Sequence, residues 1–323
     1  MERGKETSST MTYLERYIIG EHEQVWDDLL ALGAKVREGQ VYPDALAVAR
    51  ETMRRVRQNI EVLINRLVQI GFIFGYDHRI QPAFGGHHPA EDRRTYLERL
   101  SWAREQPPVF LSAKQREEET AERGGIPYSI VFDESEELEE GATLAEAEDE
   151  MELPAMASYI DEIEQFVGPV PCSIRAWYET VGGVNFYGYH AGWHQLYCSF
   201  LPNDMAKQLQ LTLMEPCDPL LVYPLNKAFM RQLHQEYVPG TRYTFEFAPD
   251  RFFKDHYSGG GGSPYSFYLP DGSADAWLAD PFDTFVRYLR ISLLSWAGFP
   301  GMAGWPTVPQ DDLTFLTEGL ILF

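Results

Sequence analysis

Leu46, Ala49, Met53, Val56, Ile60, Leu63, Leu67 and Ile70 follow one another in alternating steps of three and four. Only an α-helix keeps side chains at that spacing on one face. The pattern predicts a helix from Pro43 to Ile70, about 40 Å long at about 1.5 Å per residue. Pro43 suits its first turn and Gly71 its stop. So regular an apolar stripe needs a partner to bury it. The preceding helical pattern, Val25, Leu29, Leu32 and Val36, is the nearest one. The two together predict an antiparallel helical hairpin. Off the stripe, Arg54, Arg55 and Arg57 read as a solvated face, or as a surface on which acidic residues of the same chain dock.

Beyond that hairpin the pattern changes type. The 323 residues are 44% apolar and 14% aromatic, the composition of a globular chain with a large core. Gly71 to Tyr76 reads as a short strand or a crossing segment, and Glu91 to Glu105 as a helix. Further helices are expected at Tyr159–Val167, Ser173–Val181, Asn226–Tyr237 and Phe282–Trp296. Strands are expected at Ile126–Phe132, Val184–Tyr189, Leu220–Tyr223, Tyr243–Phe247 and Tyr265–Leu269. The fold class is therefore α+β: an N-terminal antiparallel helical hairpin followed by a mainly antiparallel sheet with flanking helices. The expected division is a disordered tail over 1–10, a helical region over 11–112, an acidic linker or insertion over 113–154, and an α+β domain over 155–323.

The formal charge of −22 is the strongest global constraint. It speaks against nucleic acid as a direct partner, because the phosphate backbone would be repelled. Solubility and long-range steering toward a basic protein both remain open as its purpose. Half of that charge lies between Asp133 and Glu152, which hold eleven acidic residues and no basic one. Such a run repels itself and reads as a linker or surface insertion. Asp133, Glu134, Glu136, Glu137, Glu139 and Glu140 are the candidate partner-binding residues. No run approaches the roughly 18 uninterrupted apolar residues of a membrane span. The first residues lack the apolar core of a secretory signal. The three cysteines, Cys172, Cys198 and Cys217, are widely spaced, which favours reduced thiols in a cytoplasmic protein.

Candidate chemistry is sparse. His190 and His194 stand four apart, the spacing of two zinc ligands on one helix face. Gly188 precedes them, Gly192 separates them, and the glutamate of the usual motif is missing, so a loop carrying two histidines is the better reading. No metal and no cofactor are expected. His87 and His88 are adjacent and converge poorly on one ion. Gly259 to Ser263 has the composition of a phosphate-cradling loop but no following lysine, so it reads as a hairpin loop. Asp161 with Glu164, and Asp311 with Asp312, are carboxylate pairs of the kind that 49 acidic residues produce by chance. A helix start could acidify the Cys172 thiol modestly; a small residue packing under the helix is the better reading.

Pro171-Cys172-Ser173-Ile174-Arg175-Ala176-Trp177-Tyr178, followed by Val181-Gly182-Gly183-Val184, resembles the SUKH superfamily. Those domains carry a proline before an aromatic-rich helix that ends in Gly-Gly and enters a sheet. The resemblance covers about residues 155–300. Where the family has Asn before Gly-Gly, this chain has Val181. The resemblance implies a non-enzymatic binding module, of the kind that includes immunity proteins neutralising basic toxins, many of them nucleases. Acidic side chains of the Asp133–Glu152 run would then occupy a basic cleft. Two other classes stay open: an enzyme with a pocket between the two halves, using His190, His194 or His256, and a scaffold that dimerises through its helical hairpin.

Overall fold

The computed structural model describes residues 11–74, 153–186, 188–190, 192–193, 217–249, 251–254, 263–279, 284–305 and 307–323. The expected helix at Glu91–Glu105, the strand at Ile126–Phe132, the acidic run and the Gly259–Gly262 loop lie outside these residues.

The chain enters through α1 (Tyr13–Ile18), opened by a capping box in which Thr12 and Glu15 exchange side-chain and backbone hydrogen bonds. Asp44 accepts from the free amides of Tyr13 and Leu14 at 2.7 and 3.1 Å, which fastens α1 across the start of the long helix. Next come α2 (His22–Leu32), a 3₁₀ turn (Gly33–Arg37) and α3 (Val41–Gln69). The eight-residue stripe falls within α3 and its last cap, and Met53, Val56, Ile60, Leu63 and Leu67 are sealed from solvent. Val48, Thr52, Asn59 and Ile64 are buried as well. The buried surface is wider than one stripe because α3 is covered from two sides.

One cover is α1 with α2, where Trp26 Nε1 donates to Thr52 Oγ at 3.2 Å. The other is α5 (Cys172–Thr180), which together with α4 (Leu153–Phe166) comes from the second half of the chain. The most extensive packing of α3 is against α5, not against the preceding helix as the hairpin expectation had it. Periodicity says which face is buried and nothing about what buries it.

The strands are short. β1 (Ile73–Phe74) pairs with β3 (Gly188–Tyr189), and β2 (Val184–Asn185) with β4 (Leu221–Val222). After α6 (Lys227–Glu236), whose Asn226 cap accepts from Phe229 N at 2.8 Å, β5 (Tyr243–Ala248) leads into α7 (Arg251–Lys254). β5 then pairs with β6 (Tyr265–Leu269), Phe245 opposite Phe267, with a bulge between Glu246 and Ala248. All three ladders are antiparallel, so the described residues are α+β. Single backbone bonds stitch the ladders: Tyr223 N to Phe247 O at 2.8 Å, and Leu220 N to Gly298 O at 2.7 Å. Because β1 belongs to the first half and β3 to the second, both halves share one core.

The closing helix is shorter than expected. Thr284 caps α8 (Phe285–Arg290), which widens into a π turn over Ile291–Ser295 before a 3₁₀ turn (Pro300–Gly304) and α9 (Gln310–Thr317). At the end of α5, Gly182 adopts φ +81° while its amide returns to Trp177 O, a left-handed stop that suits glycine. No helix among the described residues is long and apolar enough to cross a membrane.

Candidate functional site

The candidate partner-binding residues Asp133, Glu134, Glu136, Glu137, Glu139 and Glu140 lie outside the described residues, as do His194 and His256. His190 is described, and both its ring nitrogens are occupied. Nε2 lies 2.9 Å from the Ile70 carbonyl at the end of α3, and Nδ1 accepts from Trp193 N at 3.3 Å. A carbonyl needs a donor, so the proton sits on Nε2. Trp193 in turn stacks near Phe72 and Phe299 and donates from Nε1 to Asp312 Oδ2 at 2.6 Å. His190 is thus a clamp joining the end of α3 to the turn after β3. A ring spent on two backbone groups has no lone pair left for an ion. Among the described residues, no three His, Cys, Asp or Glu side chains are grouped so as to hold a metal ion.

The carboxylate pairs are likewise engaged. Asp161 and Glu164 both bind Arg175, at 2.8 and 2.7 Å, and Glu179 joins them from the next turn of α5 at 3.2 Å. Glu164 also takes Arg37 at 2.9 Å and the Val170 amide at 3.1 Å. Burial alone would raise the Glu164 carboxyl, but the Val170 amide and the Arg175 guanidinium outweigh it and hold the group below its ordinary value. Arg50 reaches Glu179 at 2.7 Å, and Arg57 donates to Thr180 O at 2.9 Å. Arg57 is therefore more than a solvated charge. With Arg37 and Arg50 it ties the helical half to α4 and α5.

The most deeply buried ionic cluster was not visible in the sequence. Lys254 Nζ lies 2.7 Å from Asp218 Oδ1, and Tyr265 OH donates to Asp218 Oδ2 at 2.7 Å. The Lys254 ammonium also sits 4.3 Å from the centre of the Tyr265 ring. Asp218 holds a left-handed φ of +49°, a conformation aspartate tolerates better than most residues. The Tyr265 and Tyr288 rings stand 5.7 Å apart, and burial, then the Asp218 charge, drives both phenols upward. A phenol held protonated donates but does not act as a base. An ammonium seated on a carboxylate is charged, hence not nucleophilic. The cluster's chemistry is that of a lock between α7, β6 and the segment before β4. Its members lie 36 and 47 residues apart, so no local spacing announces it; Asp218 before Pro219 was the one available signal.

A second buried acid organises the motif helix. Asp275 accepts from the amides of Ala276 and Val286 at 3.0 Å each. Burial nevertheless pushes its carboxyl up to about 6. The neighbouring carbonyls of Ser273 and Ala274 receive the Cys172 and Ser173 amides. The start of α5 is therefore capped by backbone, and the Cys172 thiol, sealed beneath it, is pushed up to about 11 by burial. The packed residue is what the structure has, and desolvation exceeds any pull of the helix end on the thiol.

A surface cleft of about 440 Å³ opens between the π turn and α9, lined by Trp296, Gln310, Thr314 and Thr317 among others. It lies away from the α3–α5 contact, where a pocket between the halves would be. Comparison of the chain with protein-family models, with curated proteins and with solved structures found no match.

Proposed function

We propose that this chain is a protein-binding module whose acidic surface takes a basic partner, with immunity-type neutralisation of a basic toxin as its role. The observation that supports this reading most is where the positive charges go. Arg16 is held by Glu21 and Asp28, Arg54 by Glu51, and Arg175 by three carboxylates. Arg55 and Arg66 also donate to backbone carbonyls. Each such pairing cancels one acid against one cation, and the net excess of −22 remains to act on an approaching protein. A surplus of this size raises the rate of encounter with a basic surface and opposes nucleic acid. The SUKH-like motif around α5 belongs to this reading as a resemblance in sequence, and its residues are core rather than contact surface.

The test is a titration of the full chain against purified basic toxin domains encoded beside its gene, at low and high salt. Binding whose association rate falls steeply with salt is expected. Replacing Asp133, Glu134, Glu136, Glu137, Glu139 and Glu140 with Asn and Gln should slow association more than it speeds release. Salt-independent binding, an unchanged association rate in that variant, or reproducible turnover of a small molecule by the isolated chain would each overturn the reading.

A further inference from the structure

The last residues of the chain lie on α3 in an unusual way, held by side chains rather than by a strand or helix of their own. The Asn59 carboxamide, itself 1% exposed, brackets the backbone of one residue, Ile321. Its Nδ2 donates to Ile321 O, and its Oδ1 accepts from Ile321 N, both at 2.8 Å. Arg55 Nη1 donates to Leu322 O at 2.9 Å, and Arg290 Nε donates to Phe323 O. Two turns beyond Asn59 along α3, Arg66 takes the carbonyls of Leu316 and Glu318 at 2.8 and 2.6 Å.

The side chains of this segment divide sharply. Phe323 is buried in the core cluster at 2% exposure, whereas Ile321 and Leu322 stand 41% and 63% exposed. Recognition therefore rests on main-chain hydrogen bonds plus one aromatic anchor, the pattern by which grooves bind extended peptides. Gly319, at φ +68°, makes the left-handed turn that carries the chain out of α9, and the Leu320 amide donates back to Thr317 O at 3.2 Å before the segment crosses α3.

We propose that the surface formed by Asn59, Arg55 and Arg290 is a peptide-binding groove. Leu320–Phe323 is its intramolecular occupant, and the same segment of a second copy of this chain can replace it. Identical chemistry fills the groove in either case. A short tether gives the chain's own segment an effective concentration of about millimolar, so exchange between copies requires the anchor to release first.

The test uses a labelled peptide copying residues 317–323 and the full chain carrying Phe323→Ala, whose own segment has lost its anchor. Saturable binding of the peptide is expected. Adding Asn59→Ala should weaken it roughly tenfold or more, because the N–H and C=O of residue 321 then both lose their partner. Equal affinity for the two variants, or no saturable binding to folded Phe323→Ala, overturns the groove. Should Phe323→Ala not fold, hydrogen exchange on the unaltered chain decides. An Ile321 amide exchanging roughly a hundredfold faster than the Ile60 amide supports local release of the segment. Exchange of both at one rate means that the segment opens only with the whole fold, and overturns the proposal.

Discussion

Lys254 and Asp218 form an ion pair at 2.7 Å, with the lysine side chain fully sealed and the aspartate side chain only 5% exposed. The pair is completed by the Tyr265 hydroxyl on the second carboxylate oxygen. Removing one partner strands the other in a medium that solvates it poorly. Lys254→Met and Asp218→Asn are each expected to cost about 3–5 kcal/mol. Asn at 218 is the informative replacement, since it tolerates the left-handed backbone there. Combining the two should cost clearly less than their sum, because neither charge is then left alone. Tyr265→Phe removes one neutral donor and should cost about 1–3 kcal/mol. Urea unfolding of the four variants measures all of this; strict additivity in the double variant would show that the two groups do not act as a pair.

Arg175 predicts a graded series. Its guanidinium is shared among three carboxylates of unequal exposure: Asp161 at 60%, Glu164 at 21% and Glu179 at 16%. Arg175→Met uncovers all three and loses the tie between α4 and α5, at an expected cost of about 2–4 kcal/mol. Glu164→Gln also weakens the grip on Arg37 and should fall between. Asp161→Ala removes only a solvated partner, worth less than about 0.5 kcal/mol. Chemical denaturation checks the order; a loss at Asp161 equal to that at Arg175 would contradict it.

How much of this was legible in the sequence depends on how far apart the interacting residues lie. The face of α3 was readable, because a helix repeats its pattern locally and eight residues in register leave one solution. Its partner was not. Nothing in the period of Leu46 to Ile70 distinguishes α2 from α5, and the ties that Arg50 and Arg57 make to Glu179 and Thr180 reach across more than a hundred residues. The Asn226 cap and the Gly182 stop were readable for the same local reason. The closing helix was read too early at Phe282 and as a single element through Trp296, because apolar spacing cannot show that the ladder widens to a π turn after Arg290. The spacing of His190 and His194 read better as a loop than as a ligand pair, but spacing does not show which backbone groups occupy the His190 ring. Asn59 drew no notice at all: one polar residue in a buried face reads as a lapse in the pattern until the residue whose backbone it brackets is seen.

His22 and Asp275 tilt the pH dependence of stability in opposite directions. His22 lies 4.7 Å from the Tyr17 ring, and its Nε2 accepts from Arg55 Nη1 at 2.6 Å. Burial, then the charges of Arg55 and Arg290, lower its proton affinity, against a smaller opposing pull from Glu51. The unfolded chain therefore takes up a proton that the folded chain refuses, and stability is lost as the pH falls below about 6.5. Asp275 behaves in the reverse sense. Its folded carboxyl is raised to about 6 by burial, so its contribution is complete below about 4 and is lost as the pH rises through about 6. His22→Phe should remove the acid-side loss, and Asp275→Asn the loss between about 4 and 6. Unfolding free energies measured across this range give the slopes. Variant profiles parallel to the parent's would show that other groups set the dependence.

Cys172 and Cys217 should differ in reactivity by their surroundings alone. Cys172 is wholly buried at the start of α5, its thiol pushed up to about 11 by burial, with Arg37 and Arg175 too well matched by Glu164 to reverse the effect. Only the thiolate attacks an alkylating reagent, so the native residue offers neither access nor nucleophile at neutral pH. Cys217 is half-buried beside Asp218, its carbonyl accepting from Gly301 N at 3.1 Å. Iodoacetamide followed by peptide mass mapping should label Cys217 in the native chain and leave Cys172 untouched until denaturant unfolds it. The labelling rate of Cys172 then reports opening of the α5 cap, and it should rise in Asp275→Ala, where the loop that receives the Cys172 and Ser173 amides loses its buried acceptor. Rapid native labelling of Cys172 in the parent chain would contradict the burial that sets its thiol.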